Sequence, residues 1–345
     1  MFARIMEKDE TKPFVKSLLK NYRVLGPVKK GSEFWFDEIQ SAEQVTFECA
    51  TTIFPPTKFF FLPVETLLSF QNGLIVHNYE NFDRKQLILG IHPCDVHGLL
   101  VLDKYFLGTY ADPNYFRRRE NTIIAALTCQ EIGDRCFCNS FGTGPDLKEN
   151  YDLLLTDLGD RYLVEVGSTV GRQIVQTANL PQATRDDSIE KDERMKRAES
   201  KFKRKVKTEN LPEIMLGNLI HDIWIELDKR ELSCGNCSLA CPTCFCFSIH
   251  DVVDLALLRG RRWREWDSCQ LLEYAEVNMG GNFRKTRGAR CRHWMNCKLC
   301  YVKLRHGVFG CVGCGRCIRD CPAGIDITEV ARRVRGEYNV KSLQT

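Results

Sequence analysis

The stretch Cys311 to Pro322, CVGCGRCIRDCP, decides how this chain is read. Four cysteines spaced C-x2-C-x2-C-x3-C and closed by proline are a [4Fe–4S] run, in which the fourth cysteine serves a second cluster. One such run predicts a partner run, and Cys234, Cys237 and Cys241 in LSCGNCSLACP supply it with the same x3-Cys-Pro close. If the two runs exchange their last cysteine, one cluster takes Cys311, Cys314, Cys317 and Cys241. The other takes Cys234, Cys237 and Cys321 and is one ligand short. By spacing the missing ligand falls at position 231, where the chain has Glu231. A carboxylate is a harder donor than a thiolate, so Glu231 as a ligand would shift the cluster's potential. A three-cysteine site is one alternative, and rescue by a thiol such as Cys244 or Cys246 is another.

Structural zinc favours two separated C-x2–4-C pairs, whereas four cysteines in one short loop suit a cubane. The chain has 18 cysteines in 345 residues, 43% hydrophobic and 27% charged residues, and a net charge of +4. That length supports two domains with their own cores. The N-terminus MFARIMEKDETKPF lacks a secretory h-region, and no apolar run nears the roughly 20 residues that span a bilayer, so a cytoplasmic location and no membrane contact are expected. Disulfides are accordingly not expected. Arginine is concentrated between Arg259 and Arg335. Those cations suit a solvated face, charge compensation of anionic clusters, or an acidic partner; no recognition helix accompanies them, so nucleic acid is not expected.

Residues 1–179 read as an α/β domain with cysteine-bearing loops. Strands are expected at Lys58–Pro63 (KFFFLP), Gln86–Ile91, Thr122–Thr128, Tyr151–Thr156 and Tyr162–Val166, and a helix at Leu99–Leu107. Cys94 and Cys129 follow predicted strands, and Cys136 and Cys138 form CFC in the next loop. Loops after strands are where α/β sheets place ligands, so these four could hold a third cluster or be buried thiols. Residues 180–212 read as an exposed charged helical connector, too polar to bury a face. Residues 213–345 read as a bis-[4Fe–4S], α-helical, ferredoxin-like domain. It is entered by an apolar helix at Ile214–Leu227 and carries an insertion between its two motifs. The insertion contains Cys244, Cys246, a helix expected at His250–Leu258, Cys269, and Cys291, Cys297 and Cys300, all candidate further metal ligands. Gly142-Thr143-Gly144 is too short a fragment for a dinucleotide fingerprint.

The chain resembles the [4Fe–4S] dicluster subunits of soluble NAD(P)-linked nickel–iron hydrogenases (sulfhydrogenase beta subunits) and the corresponding dicluster subunits of anaerobic sulfite reductases. The resemblance rests on PPTKFFFLP, GIHPCD, DPNYFRRRE, CFCNSFGTGPD, CGNCSLACPTCFC, RRWREWDSCQ and CVGCGRCIRDCPAGIDIT. It implies an electron relay that links a flavin- and NAD(P)-binding subunit to a catalytic subunit bearing a nickel–iron centre (hydrogenase large and small subunits) or a sirohaem (sulfite reductase). KFFFLP and CFCNSFGTGPD are closer to the hydrogenase branch. The family generally has cysteine where this chain has Glu231, and other residues at Cys291, Cys297 and Cys300. The rival classes are a metal-stabilised, non-redox binding protein, and an enzyme in the N-terminal half using His92, Asp95 and His97 around Cys94.

Overall fold

The computed structural model describes residues 2–77 and 85–337. The chain begins β1 (Ala3–Glu7), α1 (Thr11–Asn21), β2 (Arg23–Lys30), β3 (Glu33–Glu38), β4 (Val64–Gln71), β5 (Leu74–His77), β6 (Gln86–Ile91) and α2 (Pro93–Phe106). It continues α3 (Pro113–Glu120), β7 (Thr122–Leu127), β8 (Leu153–Asp157), β9 (Arg161–Val166), α4 (Thr169–Thr177) and α5 (Arg185–Ser200). A seven-stranded sheet has the order β1-β9-β8-β7-β6-β2-β3. Its β2, β6, β7 and β8 are parallel, β3 and β9 run antiparallel to them at the flanks, and β1 pairs antiparallel with β9 at the edge. The continuous apolar runs of β6 and β7 follow from burial on both faces. Phe14, Val15 and Leu18 of α1 and Ile174 and Val175 of α4 cover one face; Val96, Leu99 and Leu102 of α2 and Tyr115 of α3 cover the other.

The second half runs α6 (Leu211–Gly217), α7 (Ile223–Arg230), α8 (Asn236–Leu239), β10 (Phe247–Val253), β11 (Arg259–Trp266), α9 (Arg287–Asn296), α10 (Val302–His306), α11 (Arg316–Arg319) and α12 (Ile327–Val334). Its core is built by Met215, Trp224, Leu227, Trp294, Met295, Val330 and Val334 among others. The two cysteine motifs fold alike. Gly235 and Gly315, each left-handed at φ 76°, open the short helices α8 and α11, which pack against each other.

Four expectations differ. KFFFLP is not a strand: Pro55 and Pro56 set a 3-10 turn over Pro56–Phe59, and Phe60 and Phe61 are then buried beside α2 and α3. The expected helix at His250–Leu258 is instead β10 and a turn. Asp254 closes that turn by accepting from the backbone of Leu258 at 2.8 Å and Arg259 at 3.2 Å, and the β-branched Ile249, Val252 and Val253 suit the strand. The apolar helix at Ile214–Leu227 breaks at residues 218–222, where the Trp224 indole donates to the Asn218 carbonyl at 2.8 Å. The charged connector is not an exposed tether. Asp187, Lys191, Met195 and Ala198 of α5 share one buried face, with Asp187 paired to Arg161 at 2.9 Å and Lys191 to Glu165 and, at 3.1 Å, to Asp146. A polar helix face can be buried when each charge meets its partner.

The halves are joined in two ways. A four-stranded antiparallel sheet of order β10-β11-β4-β5 draws two strands from each half. At its root Arg264 reaches both Glu65, at 2.6 Å, and Asp112, and Arg118 shares Glu65. Separately, Arg316 of α11 is 1% exposed and grips Asp95 of α2 through two bonds of 2.5 and 2.8 Å, while donating to the Thr52 carbonyl at 3.0 Å. Arg316→Met strands the buried Asp95 carboxylate and is expected to cost about 3–5 kcal/mol. Anaerobic thermal unfolding should register this as a lowered midpoint, largely restored when Asp95→Leu is added.

Candidate metal centres

Cys241, Cys311, Cys314 and Cys317 line one small cavity, together with Phe137, Trp294, Lys298, Gly313 and Ile327. These are the four residues that the exchanged-cysteine spacing groups. The Gly313 amide donates to Cys311 Sγ at 3.3 Å. Burial raises the Cys311 and Cys317 thiols and pushes Cys314 up to about 11, whereas a hydrogen bond from Cys244 pulls Cys241 well down. Lys298 is 2% exposed and donates to Thr243 Oγ1 at 2.8 Å; that hydroxyl donates in turn to the Gly310 carbonyl at 2.6 Å. Burial works against the Lys298 charge, but the neighbouring sulfurs of Cys241, Cys244 and Cys297 outweigh it and hold its pKa well above the ordinary value.

A second small cavity is lined by Glu231, Cys237, Cys291 and Cys321 with Gln270, Met295 and Ile325. Cys317, Trp294 and Ile327 line both cavities and so form a shared wall. Cys234 is exposed and is not among the residues that line the second cavity. Glu231 is buried and its Oε1 accepts from the Ser233 amide at 2.8 Å. Cys244 and Cys246, the thiols considered for rescue, do not line this cavity. They flank Cys241 on its other side, against Trp266 and Asp267. Both polar atoms of Gln270 and Nε1 of Trp294 are buried without a hydrogen-bond partner. Orphaned donors on a cysteine-lined cavity fit the acceptor sulfurs of a cubane.

The N-terminal cysteines meet this region. Cys94, Cys136 and Cys138 are buried with Val312 and Cys314 in one cluster, and Cys129 lies beside Cys136 and Cys138. Cys94 sits at the start of α2, directly after β6 as its loop predicts. Cys49 adjoins Cys129 as well, and burial pushes it up to about 11. No spacing signal in FECATT marked it beforehand. The remaining thiols divide. Cys246 is held down to about 6 by a hydrogen bond from Cys269, and Cys297 is an electrostatic neighbour of Cys241 and Cys246. Cys300 lies apart, near Glu213, and burial pushes it up to about 11. Among the described residues no three His, Cys, Asp or Glu side chains converge closely enough for one ion.

The groups weighed for an N-terminal enzyme are engaged structurally. Asp95 is spent on Arg316, and His92 is buried at the cap of α2, where burial lowers its pKa. His97 lines an open cleft of about 710 Å³ between the halves, with Leu100, Lys104, Phe141, Lys303 and Phe309, and this cleft reaches Cys311. Thr143 of the G-x-G fragment donates its hydroxyl to the Val312 carbonyl at 2.8 Å, a packing role.

Residues 230–325 match the family described as a 4Fe-4S dicluster domain. The chain is 36% identical over 328 residues to sulfhydrogenase 2 subunit beta of Pyrococcus furiosus, covering 93% of this chain and 95% of that relative. No solved structure matches it. Among the described residues no helix is long and apolar enough to cross a membrane.

The cysteine loops meet backbone to backbone: the Phe137 amide donates to the Gly313 carbonyl at 2.8 Å, and a Cβ on Gly313 (φ 65°) would lie 2.6 Å from the Cys138 backbone. Gly324 has nearly the same φ, 64°, in open space. Gly324→Ala should therefore cost only the conformational term, about 1–2 kcal/mol. Gly313→Ala must part the two loops as well, so iron per chain should fall for it and not for Gly324→Ala.

Proposed function

The chain belongs to the family of [4Fe–4S] dicluster electron-transfer subunits typified by sulfhydrogenase beta subunits, and from that membership we propose that it relays single electrons within a hydrogenase complex. Its donor or acceptor on one side is a flavin- and NAD(P)-binding subunit, and on the other the large and small nickel–iron subunits. The observation that carries the reading is the pair of cysteine-lined cavities sharing the wall of Cys317, Trp294 and Ile327. Bound clusters supply one-electron redox capacity there, matching the two-electron chemistry of a flavin to single-electron steps.

We assign Cys241, Cys311, Cys314 and Cys317 to the first cluster, and Cys234, Cys237 and Cys321 to the second. Cys94, Cys129, Cys136 and Cys138, packed beside Cys314, are assigned to a third. The polypeptide fixes the spacing of these sites and sets a cation beside the first cavity in Lys298. Two exposed places suit the two partners: the cleft that reaches Cys311, and the surface at Cys234. The β10-β11-β4-β5 sheet exposes Leu74, Ile75, Val76, Leu255 and Leu257, an apolar area of the kind that subunit interfaces cover.

Cys314→Ser in the purified complex should uncouple NAD(P)H oxidation from the catalytic subunit while each partner keeps its activity with artificial dyes. Full physiological turnover with that cluster absent would end the relay reading, and co-purification with a sirohaem protein would transfer it to sulfite reduction. Lys298→Met removes a buried positive charge and should destabilise the more negative, reduced state. The potential of the adjoining cluster should fall by on the order of 100 mV in an EPR-monitored redox titration.

A further inference from the structure

The repeated cysteine spacing puts one ligand of the second cluster at position 231, and the chain has glutamate there. A different element brings a thiol to the same place. Cys291 of α9 is 2% exposed, lines the second cavity with Cys237 and Cys321, and has Glu231, Cys237 and Cys321 as its electrostatic neighbours. Trp294 and Met295 line that cavity too. They stand three and four residues after Cys291, so this one face of α9 is turned to the cavity. Cys297 and Cys300 fall on other faces and do not line it. Glu231, by contrast, already spends a carboxylate oxygen on the Ser233 amide at 2.8 Å, in the turn that leads to Cys234.

We propose that Cys291 is the fourth ligand of the second cluster, completing Cys234, Cys237 and Cys321 in place of the cysteine missing at 231. The inference rests on reading this cavity as a cluster site. Iron in a cubane prefers the soft thiolate to a carboxylate. Buried Cys291 and half-buried Cys237 and Cys321 line the cavity, and exposed Cys234 stands three residues before Cys237 in the same loop. The ligand set therefore comes from three separate stretches of chain, and no spacing rule reaches the third.

The test uses the full-length protein purified anaerobically, with iron, acid-labile sulfide and the EPR spectrum of the dithionite-reduced state as readouts. Cys237→Ala serves as the reference. Cys291→Ala should lose the same EPR component as Cys237→Ala, with about four irons and four sulfides fewer per chain, or one iron fewer where a three-iron cluster remains. Glu231→Gln, which keeps an acceptor for Ser233 but no charge, should retain iron, sulfide and line shape. Glu231→Cys added to Cys291→Ala restores the regular spacing and should recover the lost component. The inference is overturned if Cys291→Ala keeps the component, if Glu231→Gln loses it, or if the double variant fails to recover it. If Cys237→Ala also leaves iron and spectrum unchanged, the reading of the cavity as a cluster site fails with it.

Discussion

The buried pair of Arg316 and Asp95 fastens a metal-binding loop to the α/β half across 221 residues of sequence. Taking both charges out of water is costly, and such a pair adds little stability over well-packed apolar residues. What it does supply is position. Arg316 stands between Cys314 and Cys317, and Asp95 follows Cys94, so one ion pair sets the register of two cysteine groups. The amide of Phe137 on the Gly313 carbonyl and the hydroxyl of Thr143 on the Val312 carbonyl extend the same contact. Gly315 has the Arg135 carbonyl 2.4 Å from where its Cβ would be, so the loop tolerates no side chain at that point.

The same economy of charge runs through the basic stretch from Arg259 to Arg335. Much of it is spent inside the molecule. Arg264 joins Glu65 and Asp112, Arg290 donates to the carbonyls of Gln270, Arg284 and Lys285, and Arg333 pairs with Glu226 at 2.7 Å. Arg316 and Lys298 are both buried beside cysteines; Asp95 foremost holds Arg316 charged against the pull of burial, and the neighbouring sulfurs hold Lys298 so. A cubane with four thiolate ligands is anionic, so Lys298, which donates to the Thr243 hydroxyl and not to a carboxylate, is the cation suited to offset that charge.

The parts legible in the sequence were those with a local signature. The buried strands β6, β7 and β8, the helix behind Cys94, and the meeting of Cys241 with the Cys311 loop at one cavity could all be read from periodicity or spacing. The parts that were not legible depend on distant partners. HDVVDLALL satisfies helical and extended patterns alike, and it becomes β10 because β11 lies beside it. The α5 sequence is polar on every side, and only Arg161, Glu165 and Asp146 make one side buryable. Cys49 and Cys291 are single cysteines without a spacing motif, and their placement is tertiary.

The mixed sheet also bears on how the chain comes off the ribosome. β4 and β5 are complete by residue 77, yet β11, against which β4 pairs, ends only at Trp266. At roughly 5–20 residues per second, that hairpin waits about 10–40 s for its partner, with the edge of β4 that β11 later occupies unpaired throughout. Translation rate and chaperone occupancy thus bear on the yield of this protein as directly as iron supply does, and the nascent chain is vulnerable before either cysteine motif is complete.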